Sequence, residues 1–468
     1  MQPNGHFRNC LIGIFDESNI TITGGFLHGD REEHDYNSGF VDSDGATGPT
    51  NEWVHCMRIK GGKNVVIDGV TFLDATGDGI SISSINHFFQ DNHIRSSNIT
   101  IKNSHFLRAR RTNIVITSAD DVIIENNRIE DGGIDMEKSE GVAPSSNLNI
   151  ESFRSFDDQG NVTEYERVSR VFIRNNTQIV NDKEANPRAG NFQISHAVAP
   201  IIIEDNEMIN SGVSFFTADG VEIKNNTITQ GGITAGDASN FGRADVIDNI
   251  VSGNTVVTDG TALNVAGNGV EIIDNDFEGN VGASFGSGAT DSSKGASNIV
   301  FKDNRIKAGS RGILTRNTMQ NVTIENNEIH MFSGAPFALA LENEWEDTSS
   351  EANFIFKNNT ITGENPDTER GAPANLIKSS SITIEDNRFG ELEFLSSQNM
   401  TIINNKIEAR VDKSGMSING ELSNTIFDSN EITIYPSLTN LSIECVKIKE
   451  GVTLPASINF DNQECVEK

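Results

Sequence analysis

Apolar and polar residues alternate along this chain inside a nine-residue phrase that returns from end to end. Asn98–Phe106 reads NITIKNSHF, Asp121–Ile129 DVIIENNRI, Pro200–Met208 PIIIEDNEM and Gly220–Ile228 GVEIKNNTI. The phrase comes back at Gly269–Phe277, Asn298–Ile306, Asn321–Ile329, Asn353–Ile361, Ser381–Phe389 and Asn399–Ile407. Val122, Ile124 and Ile129 hold the apolar beats of one copy, and Val322, Ile324 and Ile329 those of another. Period-two alternation in short β-branched runs predicts strands with one buried face. The interval of roughly twenty to thirty residues marks a solenoid, in which no unit can bury its apolar face without neighbours.

The paired asparagines (Asn126-Asn127, Asn225-Asn226, Asn326-Asn327, Asn404-Asn405) break each run. Asn tolerates the left-handed backbone, so it turns the chain sharply within the coil. Stacked at equivalent turns, its side chains can also form hydrogen-bonded ladders. A second apolar beat follows a glycine turn, as in Asp131–Met136 (DGGIDM), Gly231–Thr234 (GGIT) and Arg311–Leu314 (RGIL). The expected fold is therefore all-β, with about three short strands per coil paired in parallel with those of the next coil. Ile124, Ile223, Ile272, Ile324 and Ile384, at the same place in the phrase, should stack as one interior column.

From about residue 19 to about residue 432 this pattern resembles the right-handed parallel β-helix proteins of the pectate-lyase-like superfamily. That superfamily holds polysaccharide lyases, glycoside hydrolases, epimerases and phage tailspikes, so the resemblance implies a fold and leaves the chemistry open. A leucine-rich repeat lacks its leucine-framed consensus here, and a β-propeller needs a longer period. The expected organisation is one β-helix over residues 1–440 with loops inserted at about 28–56 and 138–169. Residues 441–468, where the repeat is lost, form an expected cap. The sequence opens almost directly on a repeat, which predicts that another segment, a second copy in a homo-oligomer or a longer parent chain covers that end.

Charge narrows the partners. Lys and Arg number 36 against 67 Asp and Glu, a formal charge of −31, which disfavours nucleic acid and anionic membrane. No run of eighteen apolar residues and no secretory signal is visible. The superfamily resemblance nonetheless implies an extracellular or surface-associated protein, a phage structural protein included. The four cysteines (Cys10, Cys56, Cys445, Cys465) form neither a disulfide framework nor a metal spacing, and Cys445 with Cys465 reads equally as a pair or as two thiols.

The candidate site lies where the metre breaks. Long insertions in a solenoid map to loops on one face, often the binding face. The strands after the glycine turns predict Met57/Ile59, Ile80/Ile82, Ile114/Ile116, Ile134/Met136 and Phe192/Ile194 inward, with alternates outward. One outward line is then Arg58, Ser81, Val115, Asp135, Gln193, and the next is Lys60, Ser83, Thr117, Glu137, Ser195. Asp78, Arg110 and Arg111 fall at turns before these strands, and Asn113 lies beside them. The first loop adds His34, Tyr36, Trp53 and His55. Its string GDREEHDY, followed by EWVHC and TGDGI, resembles a sub-group of bacterial and phage surface β-helix proteins.

These residues carry three readings. A lyase acting on a uronate-containing polysaccharide needs a cation for the carboxylate and groups to move two protons, which Arg58, Lys60, Arg110, Arg111, His34, Tyr36 and His55 supply. An inverting hydrolase needs two carboxylates, which Asp78 with Asp135 or Glu137 would provide. A surface adhesin or tailspike module would hold glycan on the same groove without cutting it, with Trp53, Asn113 and Gln193 as contacts. Among cofactors only Ca²⁺ is in question, through carboxylate oxygens, and no EF-hand-like ligand string occurs.

Overall fold

Two left-handed residues bracket most copies of the phrase. Asn98 (φ 53°) and Asn103 (φ 50°) enclose one strand; Asp121 (φ 56°) and Asn126 (φ 57°) enclose the next. Between them Ile99, Ile101, Val122 and Ile124 are completely buried. The structure, a computed structural model, describes residues 10–35, 40–41, 47–48, 54–134, 145–156, 162–182, 190–195, 200–216, 218–236, 248–286, 296–316, 319–332, 337–343, 353–363, 374–379, 382–389, 391–409, 416–423, 425–434 and 447–448. It is an all-β, right-handed parallel β-helix.

The chain divides into two compact units, residues 1–231 with 247–250 and residues 232–246 with 251–468. In the first unit each coil contributes three strands, and each strand pairs in parallel with its counterpart one coil on. Lys63–Asp68, Ser96–Lys102, Ala119–Glu125 and Val168–Arg174 build the first column. Thr71–Leu73, His105–Leu107 and Arg128–Glu130 build the second. Cys10–Phe15, His55–Lys60, Ile80–Ser83, Thr112–Ile116, Ser146–Glu151 and Asn191–Ser195 build the third, whose outer face matters for function. Ile101, Ile124, Ile173, Ile203 and Ile223 stand in one register line, as the phrase predicts. In the second unit Ile272, Phe301, Ile324, Phe356, Ile384 and Ile402 do the same.

The paired asparagines divide the two tasks foreseen for them. The first of each pair takes the left-handed turn; the second turns inward and is almost fully buried. Asn127, Asn176 and Asn206 each donate Nδ2–H to the next Oδ1 in the stack at 3.0 Å, those of Asn176, Asn206 and Asn226 in turn. A second ladder runs in the other unit, from Asn254 through Asn275, Asn304, Asn327, Asn359 and Asn387 to Asn405 and Asn430. Each amide therefore satisfies backbone groups that a buried turn would otherwise leave without partners.

One register differs from expectation. Ile134/Met136 were expected to follow the glycine turn as the inward pair of a strand. The third-column strand is instead Ser146–Glu151, with Leu148 and Ile150 inward. Asn147 Oδ1 fixes this by accepting from Gly132 N at 2.7 Å and Asn113 Nδ2 at 3.0 Å. The phrase DGGIDM imitates its counterparts, yet Gly133 takes a left-handed φ of 88°, and the strand that fills the column begins at Ser146. The expected insertion at 138–169 thus holds a coil strand, and a second excursion follows it. That excursion is a hairpin, Arg154–Phe156 antiparallel to Val162–Glu164, at the turn foreseen near residues 157–161. A shorter excursion, closed by an antiparallel bridge between Ile85 and Ile94, carried no signal in the metre. Of the expected cap, Lys447–Ile448 is described, and it pairs in parallel with Met416–Ser423.

Candidate functional site

The third column presents two outward lines. Gly13, Arg58, Ser81, Val115 and Asn149 share one register; Phe15, Lys60 and Ser83 share the next, which Thr117 and Glu151 continue. Ser81 and Ser83 are small, so the surface sinks between the long side chains of adjacent coils. The result is a cavity of about 690 Å³, in the size range of ligand sites. Its walls come from the third column, from the 84–95 excursion through Asn86, His87 and Gln90, and from the hairpin excursion through Glu166. The Ser83 hydroxyl, buried at the floor, has no hydrogen-bond partner among the described residues.

One end rests on a buried charge cluster. Asp78 is 1 % exposed, and Arg111 Nη1 donates to its Oδ2 at 3.0 Å and its Oδ1 at 3.3 Å. His55 Nδ1 lies 3.2 Å from Asp78 Oδ2 and accepts the Asp78 backbone N–H at 3.0 Å. Burial pushes the His55 pKa below its ordinary value, against the pull of Asp78. Burial alone would raise Asp78, but Arg111 and His55 outweigh it and hold the carboxyl below the usual range. This carboxylate is committed to its partners and is not a free acid or base.

Two groups with shifted pKa values lie elsewhere in the same cavity. Burial, reinforced by the neighbouring Arg58 charge, pulls Lys60 down to about 8, with Glu166 opposing the shift. Burial pushes the Glu166 carboxyl up, and the charge of Glu151 adds to it. Hydrogen bonds from the Thr117 hydroxyl at 2.8 Å and the Phe153 N–H at 3.2 Å position that carboxylate and work against its rise. Thr117 stands two coils from Lys60, about 9–10 Å along the stack. That is room for one sugar ring between the two functional groups. Arg58, two residues from Lys60 on one strand, points to the same side about 6–7 Å away.

Of the residues singled out in the sequence, the structure brings His55, Arg58, Lys60, Asp78 and Arg111 to the cavity. Arg110 does not line it, because its side chain is fully buried. Asn113 is 1 % exposed, and its amide donates to Glu130 O at 2.7 Å and to Asn147, an internal brace rather than a surface contact. His34 lies on the preceding loop, paired to Asp30 at 3.2 Å. Gln193 occupies its foreseen line, beside Asn149 and Ser214, outside the cavity lining. Tyr36, Trp53, Asp135 and Glu137 fall outside the described residues, and the column positions expected for the last two belong to Asn149 and Glu151. The alternation of Ser146–Glu151 (SNLNIE) was the available signal for Glu151. Glu166 had none, since a hairpin stem outside the repeat delivers it. Among the described residues no group of three or more His, Cys, Asp or Glu stands where it could hold a metal.

The sequence profile of the family described as "Right handed beta helix region" matches residues 36–206 and 191–344. The chain belongs to the right-handed β-helix family. Among curated relatives, YclG of Bacillus subtilis (strain 168) is 30% identical over 282 residues, 58% of this chain and 44% of YclG. The SPbeta prophage-derived YorA of the same strain is 25% identical over 281 residues, 60% of this chain and 41% of YorA. The chain therefore spans less than half the length of either relative. Among solved structures, the β-helix of PfbA, a surface adhesin of Streptococcus pneumoniae, is similar over 72% of this chain and 85% of that one. Its TM-score is 0.43 and its identity 12%.

Proposed function

We propose that this β-helix cleaves a uronate-containing polysaccharide by β-elimination in the third-column cavity. Support comes from one arrangement above all: two cations on one strand, Arg58 and Lys60, face a carboxylate, Glu166, across a floor of small hydroxyls. The overall charge of −31 makes such a concentration of cations notable. In this reading Arg58 binds the uronate carboxylate and stabilises the charge that develops on it. Glu166, a stronger base for being buried, takes the proton from the ring carbon next to that carboxylate. The electron pair forms a carbon–carbon double bond and expels the glycosidic oxygen. Lys60, a better acid than an ordinary lysine, protonates that oxygen. Lys60, pulled down to about 8, is still chiefly the ammonium near neutral pH, which favours it as the acid of the pair.

A second reading rests on Glu151, which lines the cavity with Glu166 and contributes to its raised pKa. Two carboxylates with separated affinities for protons are what a glycoside hydrolase needs. Incubating the chain with polygalacturonate, alginate and a neutral glucan separates the readings. Elimination raises the ultraviolet absorbance of an unsaturated uronate together with reducing ends. Hydrolysis raises reducing ends alone, and a non-catalytic glycan binder raises neither.

A further inference from the structure

The excursions that wall the cavity also carry a cluster of aromatic rings that no packing need explains. Phe88 and Phe89 come from the 84–95 excursion, Phe153 and Tyr165 from the hairpin stem. Tyr165 packs on Phe153 with ring centres 4.7 Å apart and meets Phe89 edge-on at 5.5 Å and His87 at 5.2 Å. The backbone ties the excursions together, Phe88 N donating to Tyr165 O at 2.8 Å and Tyr165 N to Phe153 O at 3.0 Å. Arg167 lies 4.1 Å over the Phe88 ring and holds it from one side. Despite these contacts Phe89 is 58% exposed, Phe153 55% and Phe88 38%. Rings fixed by neighbours and bonded backbone, yet open to water on one face, form a pre-organised surface.

This surface is continuous with the cavity. His87, within the ring cluster, lines it, and Glu166 follows Tyr165 directly in the chain. A polymer longer than the cavity has to leave it across a wall, and this wall presents apolar ring faces edged by His87, Gln90 and the Tyr165 hydroxyl. Sugar rings match such a surface, with C–H bonds on their flat faces and hydroxyls around their edges.

We propose that the Phe88, Phe89, Phe153 and Tyr165 cluster is a stacking platform for a sugar unit next to the one held in the cavity. The inference rests on the reading of the cavity as a polysaccharide site and extends it to a second subsite. It does not depend on elimination as the chemistry.

Binding measured without turnover tests it. Calorimetric titration of the full chain, in a Glu166→Gln background, uses hexamers of galacturonate, mannuronate and glucose. Phe89→Ala and Phe153→Ala are each compared with Phe26→Ala, which removes an even more exposed ring (78%) away from the cavity. At least one hexamer is expected to bind, and both platform variants to weaken it about fivefold to tenfold while Phe26→Ala leaves it unchanged. Affinity unchanged in the platform variants, or no binding by any of the three hexamers, overturns the platform. Platform-dependent binding without unsaturated product from the unsubstituted chain would retain the subsite and refute the elimination reading.

Discussion

Asp78 and Arg111 form an ion pair beneath the floor of the cavity, Nη1 3.0 Å from Oδ2, with the two side chains 1% and 11% exposed. They come from neighbouring coils, so the bond both holds the stack and sets the electrostatics of the site. Removing one partner of such a pair leaves the other charge buried without its counter-ion. Arg111→Ala should therefore lower stability by about 3–5 kcal/mol in denaturant unfolding at pH 7. The dependence on pH has a definite sign. The depressed Asp78 pKa contributes stability above the ordinary carboxyl value of 3.8, and that stability is lost as pH falls through the folded value. The difference between unsubstituted chain and variant should shrink on acidification. A difference independent of pH would show that Asp78 is not the source.

The asparagine ladder makes an equally specific prediction. Asn206 Oδ1 accepts from Asn176 N at 2.9 Å and from Asn176 Nδ2, and its own amide donates to Ile173 O at 2.9 Å. Asn206→Ala leaves these buried groups without partners, at about 1–3 kcal/mol for each group that water cannot reach. A loss of about 3 kcal/mol in unfolding free energy is expected. Asn225→Ala, at a left-handed turn (φ 54°) on the surface, should cost only the backbone strain of about 1 kcal/mol. Equal costs for the two would mean that the roles assigned to the pair are not distinct.

Most of the fold was legible because the phrase encodes it directly. Ile124 and Ile324 sit at the same beat, and each takes an inward position flanked by residues at that beat. Arg58, Lys60 and Asp78 were legible for the same reason, since they lie within the metre. What lay outside it was not. The pairing of Ser146–Glu151 with Thr112–Ile116 gives the column positions expected for Asp135 and Glu137 to Asn149 and Glu151. Glu166 reaches the cavity from a hairpin whose placement depends on contacts such as Phe88 N to Tyr165 O, between segments 77 residues apart. No local pattern records such a contact. Arg110 was misplaced because a turn residue obeys no in-out alternation, and Asn113, though on the strand Thr112–Ile116, because its amide bonds inward to Glu130 O and Asn147; burial claims both.

Acid–base roles for Glu166 and Lys60 predict a bell-shaped dependence of kcat/KM on pH. Activity should fall on the acid side as Glu166 takes up a proton, above the ordinary carboxyl value of 4.5, because burial raises it. It should fall on the alkaline side near pH 8, as Lys60 loses its proton. Glu166→Gln should reduce turnover about 10²–10⁴-fold with little loss of stability. Lys60→Arg should move the alkaline limb upward, since guanidinium keeps its proton. An alkaline limb that stays in place would exclude Lys60 as its origin.

The most direct test of β-elimination in this cavity is the mass of the cleavage products. Elimination adds no water at the cut, so the account predicts an unsaturated fragment, one water lighter than its saturated counterpart, and its disappearance in Glu166→Gln. Saturated fragments alone, whose masses sum to that of the substrate plus one water, would contradict it and assign the site to hydrolysis.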